Sequence, residues 1–325
     1  MNKTFYLHLG YPKTGTTFLQ REIFRNTKEL IYLGKSDSHR DATTLDLMID
    51  EIRIINHNTF KNNISSYISQ IKSITEKYTE SKKFIYSNEV LLQQLFCRNF
   101  TTVVLIERLL QILRLADVKV RLLATDRNKC DLILSWYSEA PHHFSGYCTQ
   151  WDSFESFKKS LFLKTADKRV TDFIDSLKLE QISERLSINS DDFLILSFEC
   201  FQRNPKKYYK QLFTFMGIRE IDTKIKQKPI NPSIIKDGRR IPKKYQMTIP
   251  ELLVRLMPYS VKKNLSPRIK KNLIKFRNST QKFFFSNKFM LALANFLENI
   301  FLKKQVSKIY FTDSEIRLLD NIFKN

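Results

Sequence analysis

The chain is poor in the residues that build metal clusters and redox pairs. Its four cysteines, Cys97, Cys130, Cys148 and Cys200, stand far apart, and no C-x-x-C occurs. Zinc clusters and dithiol redox centres are therefore not expected, and a reducing compartment is the simplest setting. No third His, Cys or acid joins His142 and His143 at the spacing of a metal site. No apolar run reaches the ~20 residues needed to cross a bilayer. The chain enters a strand-like run almost at once, so no signal peptide is expected. Acids become scarce after residue 200. Residues 201–325 hold 28 Lys and Arg against 8 Asp and Glu, whereas residues 1–200 hold 27 against 25. Almost all of the net charge of +22 therefore lies in the C-terminal part. Such asymmetry points either to an acidic partner (nucleic acid, anionic lipid or polyanionic glycan) or to a solvated basic face. With 42% hydrophobic and 27% charged residues in 325, the chain can bury a core as one large domain or two small ones.

The densest information lies at the start. Phe5, Leu7 and Leu9 alternate with Tyr6 and His8, which predicts a buried strand. Gly10-Tyr-Pro-Lys-Thr-Gly15 has the punctuation of a tight loop. From Thr16, apolar residues Phe18, Leu19, Ile23 and Phe24 recur at helical spacing. Strand, glycine-bearing loop and helix together make an anion cradle, because free amides and the helix dipole converge at the helix start. Lys13 adds a full charge, and Thr16 and Thr17 add hydroxyl donors. The ATP-binding P-loop places its lysine directly after the second glycine. Here Gly10 and Gly15 keep the glycine spacing, but Thr16 stands where that lysine belongs and Lys13 lies inside the loop. The pattern argues against a nucleotide kinase.

Tyr11-Pro-Lys-Thr-Gly-Thr-Thr-Phe-Leu19 closely resembles the 5′-phosphosulfate loop of sulfotransferases that use 3′-phosphoadenosine 5′-phosphosulfate (PAPS). The resemblance implies that Pro12, Lys13, Thr14, Gly15, Thr16 and Thr17 bind the phosphosulfate. Three further segments agree. Lys83–Ser87 reads as a second strand followed by Asn88-Glu89, similar to the Ser-x-Glu stretch of bacterial and glycan-modifying members. There the resemblance implies that the glutamate is the catalytic base. The alternative is that Glu89 caps a helix beginning at Val90. Val118–Thr125 reads as a strand with Arg127 just beyond it, and Ser135 follows after seven residues on the next helix. Arg-x7-Ser resembles the family's 3′-phosphate signature, and a planar guanidinium fork suits phosphate. His142 and His143 offer an alternative base or acceptor contact, or a plain polar loop. Asp192–Glu199 reads as a strand, and the segment through Gly217 resembles the last core strand and helix of sulfotransferases. Phe198 and Asn204 depart mildly from that pattern, and Glu199 is expected to be structural.

The remaining matches are looser. Asn231-Pro-Ser233 resembles an asparagine-x-serine turn of the family, and Asp237–Pro242 resembles a basic loop that would set Arg239 and Arg240 on the 3′-phosphate. Single helices are expected over 168–186, with Ile182 inward, and near the C-terminus, with Leu318, Leu319 and Ile322 inward. The apolar stripe Phe289–Phe301 between lysines is either a packed helix or a helix at an anionic membrane.

The expected fold is a three-layer α/β, P-loop-like domain with a central parallel sheet, spanning residues 1–232, with a basic helical C-terminal part over 233–325. The expected reaction is transfer of a sulfuryl group from PAPS, as co-substrate and without metal, to a hydroxyl. The acceptor expected is a glycan or lipid-linked saccharide. The expected location is cytoplasmic, with peripheral contact at the inner face of the membrane as one use of the basic part. A nucleic-acid-binding protein is the reading from another class. It is disfavoured because the C-terminal aromatics are Phe in apolar runs rather than interleaved stacking platforms.

Overall fold

The computed structural model of the chain describes residues 3–34, 40–79, 83–97, 100–163, 167–219, 234–236, 239–241 and 309–324. The chain divides into two units, Met1–Ile241 with Lys308–Asn325, and Pro242–Ser307. The second unit, which includes the stripe Phe289–Phe301, lies outside the described residues, as do Asn231–Ser233.

Five strands build the sheet: β1 (Thr4–Gly10), β2 (Ile31–Tyr32), β3 (Lys83–Ser87), β4 (Lys119–Asp126) and β5 (Asp192–Ser197). Their order is β2-β3-β1-β4-β5, and every pairing is parallel. β1 is central, with Leu7 between Tyr86 of β3 and Leu122 of β4. Phe5, Tyr6, Leu7, His8 and Leu9 are all buried, as expected for a parallel strand covered on both faces. The helical cover comes from α1 (Thr16–Phe18) with the π-helical turn Leu19–Phe24, α2 (Arg40–Ile52), α3 (His57–Lys77) and α4 (Thr102–Leu115). On one face Tyr6, Ile85, Leu123 and Leu196 share a cluster with Phe18, Leu19, Ile23 and Phe24. The same cluster takes Leu212, Phe213 and Met216 from α11 (Pro205–Met216). On the other, Phe5 stacks on Phe84 and Tyr78 meets Phe84 edge-on.

The helices α5 (Lys129–Glu139), α6 (Pro141–Tyr147), α7 (Phe154–Phe162) and α8 (Lys168–Asp175) share a dense aromatic knot. Tyr137 contacts Phe154 at 4.9 Å between ring centroids, Phe144 contacts Phe157 at 5.0 Å, and Trp151 contacts Phe157 at 4.9 Å. Such pairs contribute about 0.5–1.5 kcal/mol each beyond their buried area. Ser153 caps α7 in a reciprocal arrangement with Ser156.

Four local expectations change. The helix after the loop widens at once into the π turn, where the Arg25 amide reaches the Gln20 carbonyl. Gln20 turns inward there and donates to the Ser87 hydroxyl at 3.0 Å. The helix expected from Val90 is instead two short 3-10 turns, Glu89–Leu92 and Gln94–Phe96. The single helix expected over 168–186 breaks into α8 and α9 (Leu179–Ser187) at Ser176–Lys178. β5 ends at Ser197, whose hydroxyl caps α10 (Phe198–Arg203) by accepting from the Cys200 amide.

Two short antiparallel strands, β6 (Ile234–Lys236) and β7 (Arg239–Ile241), follow, and the β7 backbone runs beside α5. The last helix, α12 (Asp313–Lys324), also packs on α5. Thr312 and Glu315 cap it reciprocally: the Thr312 amide donates to Glu315 Oε2 at 2.7 Å and the Glu315 amide donates to Thr312 Oγ1 at 3.3 Å. Lys158 of α7 reaches Glu315 at 2.8 Å, and Phe154 meets Phe311 at 5.3 Å. Leu319 is buried, but Leu318, expected inward, is 50% exposed because it lies on the helix face turned from this contact.

Candidate functional site

All five strands open at one edge, and in parallel sheets ligands gather outside those carboxyl ends where the strand order reverses. The loop Tyr11–Gly15 leaves β1 at the centre of that edge. Gly10 is required there: a Cβ would come within 2.0 Å of Thr16 Cγ2 and 2.9 Å of Thr125 Oγ1. Gly15 sits at φ 85°, which glycine tolerates freely. Lys13 sits at φ 68°, an unusual conformation for a side-chain-bearing residue, so its surroundings must hold it.

Five contacts hold it and the loop around it. Arg127 Nη1 donates to the Lys13 carbonyl at 3.1 Å. Lys13 Nζ pairs with Glu139 Oε2 at 2.5 Å. The Thr14 hydroxyl donates to the Tyr11 carbonyl at 2.7 Å and meets the Thr125 hydroxyl at the same distance. The Tyr11 hydroxyl, fully buried, donates to the Ser176 carbonyl at 2.6 Å, and burial raises its pKa well above the ordinary range. Thr14 thus turns its side chain into the fold, and what it offers the crevice is backbone. Pro12 is buried within the loop, and Thr17 is half-buried in the first helical turn.

Glu89 stands at the end of β3 on the same edge, and the Thr16 hydroxyl donates to its carboxylate. The capping role open to Glu89 falls to Asn88, whose Oδ1 accepts from the Val90 amide at 3.1 Å. Asn88 is itself held by Asp46 at 3.1 Å and the Tyr86 hydroxyl at 3.0 Å. The Glu89 side chain is thereby left to the loop.

Arg127 follows β4, with its guanidinium 4.9 Å from the centre of the Phe198 ring. Phe198 also lies against Gly15, so one ring backs both the loop and the arginine. Ser135 lies two turns into α5 and is almost fully buried. The N-terminus of α5 is pinned by Glu199, which accepts from the Asn128 amide at 2.9 Å and from the Ser197 hydroxyl at 2.8 Å. Burial works against the Glu199 charge, but these two donors, its own amide and the nearby Arg127 charge together keep the carboxyl below its usual range. Its role is structural, as expected.

His142 and His143 sit on α6 with rings 4.3 Å apart, and His143 meets Phe96 at 4.9 Å. They therefore lie beside the turns that follow Glu89. Arg239 and Arg240 fall on β7, whose backbone is near α5; their side chains lie outside the described residues.

Beneath the loop is a residue the motifs did not mark. His8 is fully buried on β1, with Nδ1 2.6 Å from the Ser87 hydroxyl and its ring edge-on to Phe24. Burial pushes its pKa down to about 3. The alternation of β1 could have shown it, since His8 shares a face with Tyr6. Glu139 was also missed, although it lies four residues after Ser135 and so on the same helix face.

The arrangement can bind an anion at the loop, between Lys13 and Arg127, and can present a carboxylate to a neighbouring hydroxyl. Among the described residues no group of His, Cys, Asp or Glu suits a metal ion. No described helix is long and apolar enough to cross a membrane. Residues 6–231 match a family model whose description is sulfotransferase domain, well over half of the chain. No curated protein matches the sequence closely enough to count as a relative.

Proposed function

Because the chain belongs to the sulfotransferase family, we propose that it moves the sulfuryl group of PAPS to a hydroxyl on a glycan or lipid-linked saccharide. Sulfuryl transfer itself comes with the family. The observation that carries the donor is the loop between two cations. Lys13 and Arg127 are joined through the Lys13 carbonyl, at the carboxyl edge of the sheet, with glycine at the points where a Cβ or a positive φ would obstruct. A cradle of this kind suits a phosphate-bearing anion. Lys13 to Thr17 would hold the 5′ side through backbone amides and the Lys13 ammonium, with Pro12, which has no N–H to donate, shaping the loop. Arg127, with Ser135, Arg239 and Arg240, would take the 3′-phosphate. PAPS supplies the activated sulfuryl group and a stable leaving phosphate.

The protein's own part is then proton transfer and charge placement. Glu89 takes the proton of the acceptor hydroxyl as its oxygen bonds to sulfur and the bond from sulfur to the phosphate oxygen breaks. Lys13 and the loop amides lie where negative charge grows on the sulfuryl and leaving oxygens. Thr16 holds the Glu89 carboxylate toward the loop.

The test is nucleotide discrimination without metal. The protein should bind 3′,5′-adenosine bisphosphate much more tightly than AMP in a titration calorimeter with chelator present. Arg127→Ala should weaken bisphosphate binding by about 2 kcal/mol, the scale of a hydrogen bond to a charged group, and weaken AMP less, through the lost support of the Lys13 carbonyl alone. Equal affinity for the two nucleotides would remove the 3′-phosphate site.

The basic C-terminal part is assigned to a polyanionic acceptor or to the anionic membrane that carries a lipid-linked one, at the cytoplasmic face. Residues 224–288 hold 18 Lys and Arg against Asp237 and Glu251 alone, far more cations than one nucleotide needs. Lysines near an anionic surface contribute about 1 kcal/mol each, and salt screens them over ~8 Å at physiological strength. Retention by acidic polysaccharide or anionic vesicles should therefore fall steeply with salt. Reversing Lys262, Lys263, Lys270 and Lys271 to Glu should abolish it and spare bisphosphate binding. Unchanged retention would reduce the charge to a solvated face.

A further inference from the structure

The helix α5 carries Asp131, Ser135 and Glu139 at intervals of four residues, so they share one face, and Arg127 lies four residues before the first. Both ends of that face grip the loop. Arg127 binds the Lys13 carbonyl, and Glu139, the last residue of α5, binds the Lys13 ammonium at 2.5 Å. The pair is largely shielded: the Lys13 side chain is 13% exposed and that of Glu139 36%. At the other end the carboxylate of Asp131 lies 3.9 Å from Arg127 Nη2. Lys13 and Arg127 therefore each already face a carboxylate from the same helix.

This has a chemical consequence. The ammonium that must meet the developing charge of the transferred group is engaged by a fixed anion. Any phosphate or sulfate drawn to Lys13 must compete with Glu139 for that ammonium. We propose that Glu139 is a positioning residue that acts as the competing counter-ion of Lys13: it keeps the ammonium aligned along α5, weakens anion binding at the loop, and takes the ammonium back when the product leaves. The proposal rests on the reading of residues 10–15 as the donor loop.

A double-mutant cycle on the full chain tests it, with 3′,5′-adenosine bisphosphate and inorganic pyrophosphate as probes. Glu139→Gln keeps the shape and removes the charge. It should tighten both probes by roughly threefold to fivefold, the scale of a partly exposed ion pair. In steady state the donor KM should fall without a rise in kcat. In a Lys13→Ala background the same change should have an effect within about twofold of none, the scatter of uncoupled sites. Unchanged or weaker binding by Glu139→Gln overturns the inference, and so does equal tightening with and without Lys13, which would mean a general charge effect. The two readings fail separately. If pyrophosphate shows the full cycle while bisphosphate binds no better than AMP, the donor assignment alone is wrong. If bisphosphate is discriminated and the cycle is flat, the counter-ion alone is wrong. Failure of both probes to bind any form of the protein overturns both.

Discussion

Glu89→Gln is expected to lower turnover by about 10²-fold or more, the usual loss when a general base is removed, while bisphosphate affinity stays near that of the unmodified protein. The substitution is clean on structural grounds. A glutamine keeps an oxygen for the Thr16 hydroxyl to donate to, and Asn88, not Glu89, caps the following turn. Local structure should therefore survive and only the proton acceptor be lost. Single-turnover measurement with saturating donor separates this from an effect on binding. Near-normal turnover would move the base to His142 or His143, which lie beside the same turns, and the paired alanine substitutions would then show the loss instead.

Acid should destabilise the fold through His8. Its pKa falls from 6.5 to about 3 in the folded chain, because burial disfavours the charged ring. The sign follows from proton binding: between those values the unfolded chain takes up a proton that the folded chain refuses. The stability is fully present above pH 6.5 and is lost as pH falls toward 3. By about pH 4 the loss amounts to roughly 3 kcal/mol, a large share of the margin of an ordinary domain. Urea midpoints across this range should show it. His8→Asn should be less stable at neutral pH, since it leaves space beside Phe24, yet should lose less on acidification. Parallel pH profiles for the two proteins would show that His8 is not the acid-sensitive group.

The parts legible in the sequence are those where local pattern and chemistry coincide. Phe5, Leu7 and Leu9 marked β1, the glycines at 10 and 15 marked the loop, and Lys83–Ser87 marked β3. A parallel sheet then had to gather the loop, Glu89 and Arg127 at one edge. What sequence could not show depends on tertiary partners. The π turn at Leu19–Phe24 has ordinary helical periodicity, and only the pull of Ser87 on Gln20 distinguishes it. Apolar spacing over Val170, Phe173, Ile174 and Ile182 fits one helix as well as two. The pairing of Lys13 with Glu139 joins residues 126 positions apart with no motif between them. Thr14 has the residue type of a ligand contact, but Thr125 and the Tyr11 carbonyl engage its hydroxyl first.

The break between α8 and α9 bears on the loop in a way that neither helix reveals alone. In an uninterrupted helix the carbonyl of Ser176 would accept from the amide of residue 180. Because the chain turns there, that oxygen is open to the Tyr11 hydroxyl. Regularity in one element and placement of the other thus both call on one carbonyl. A change that heals the helix gains one backbone bond and shifts the acceptor of a buried phenol beneath the loop at residues 10–15. The break at residues 176–178 therefore serves as the anchor point of a tyrosine 165 positions upstream.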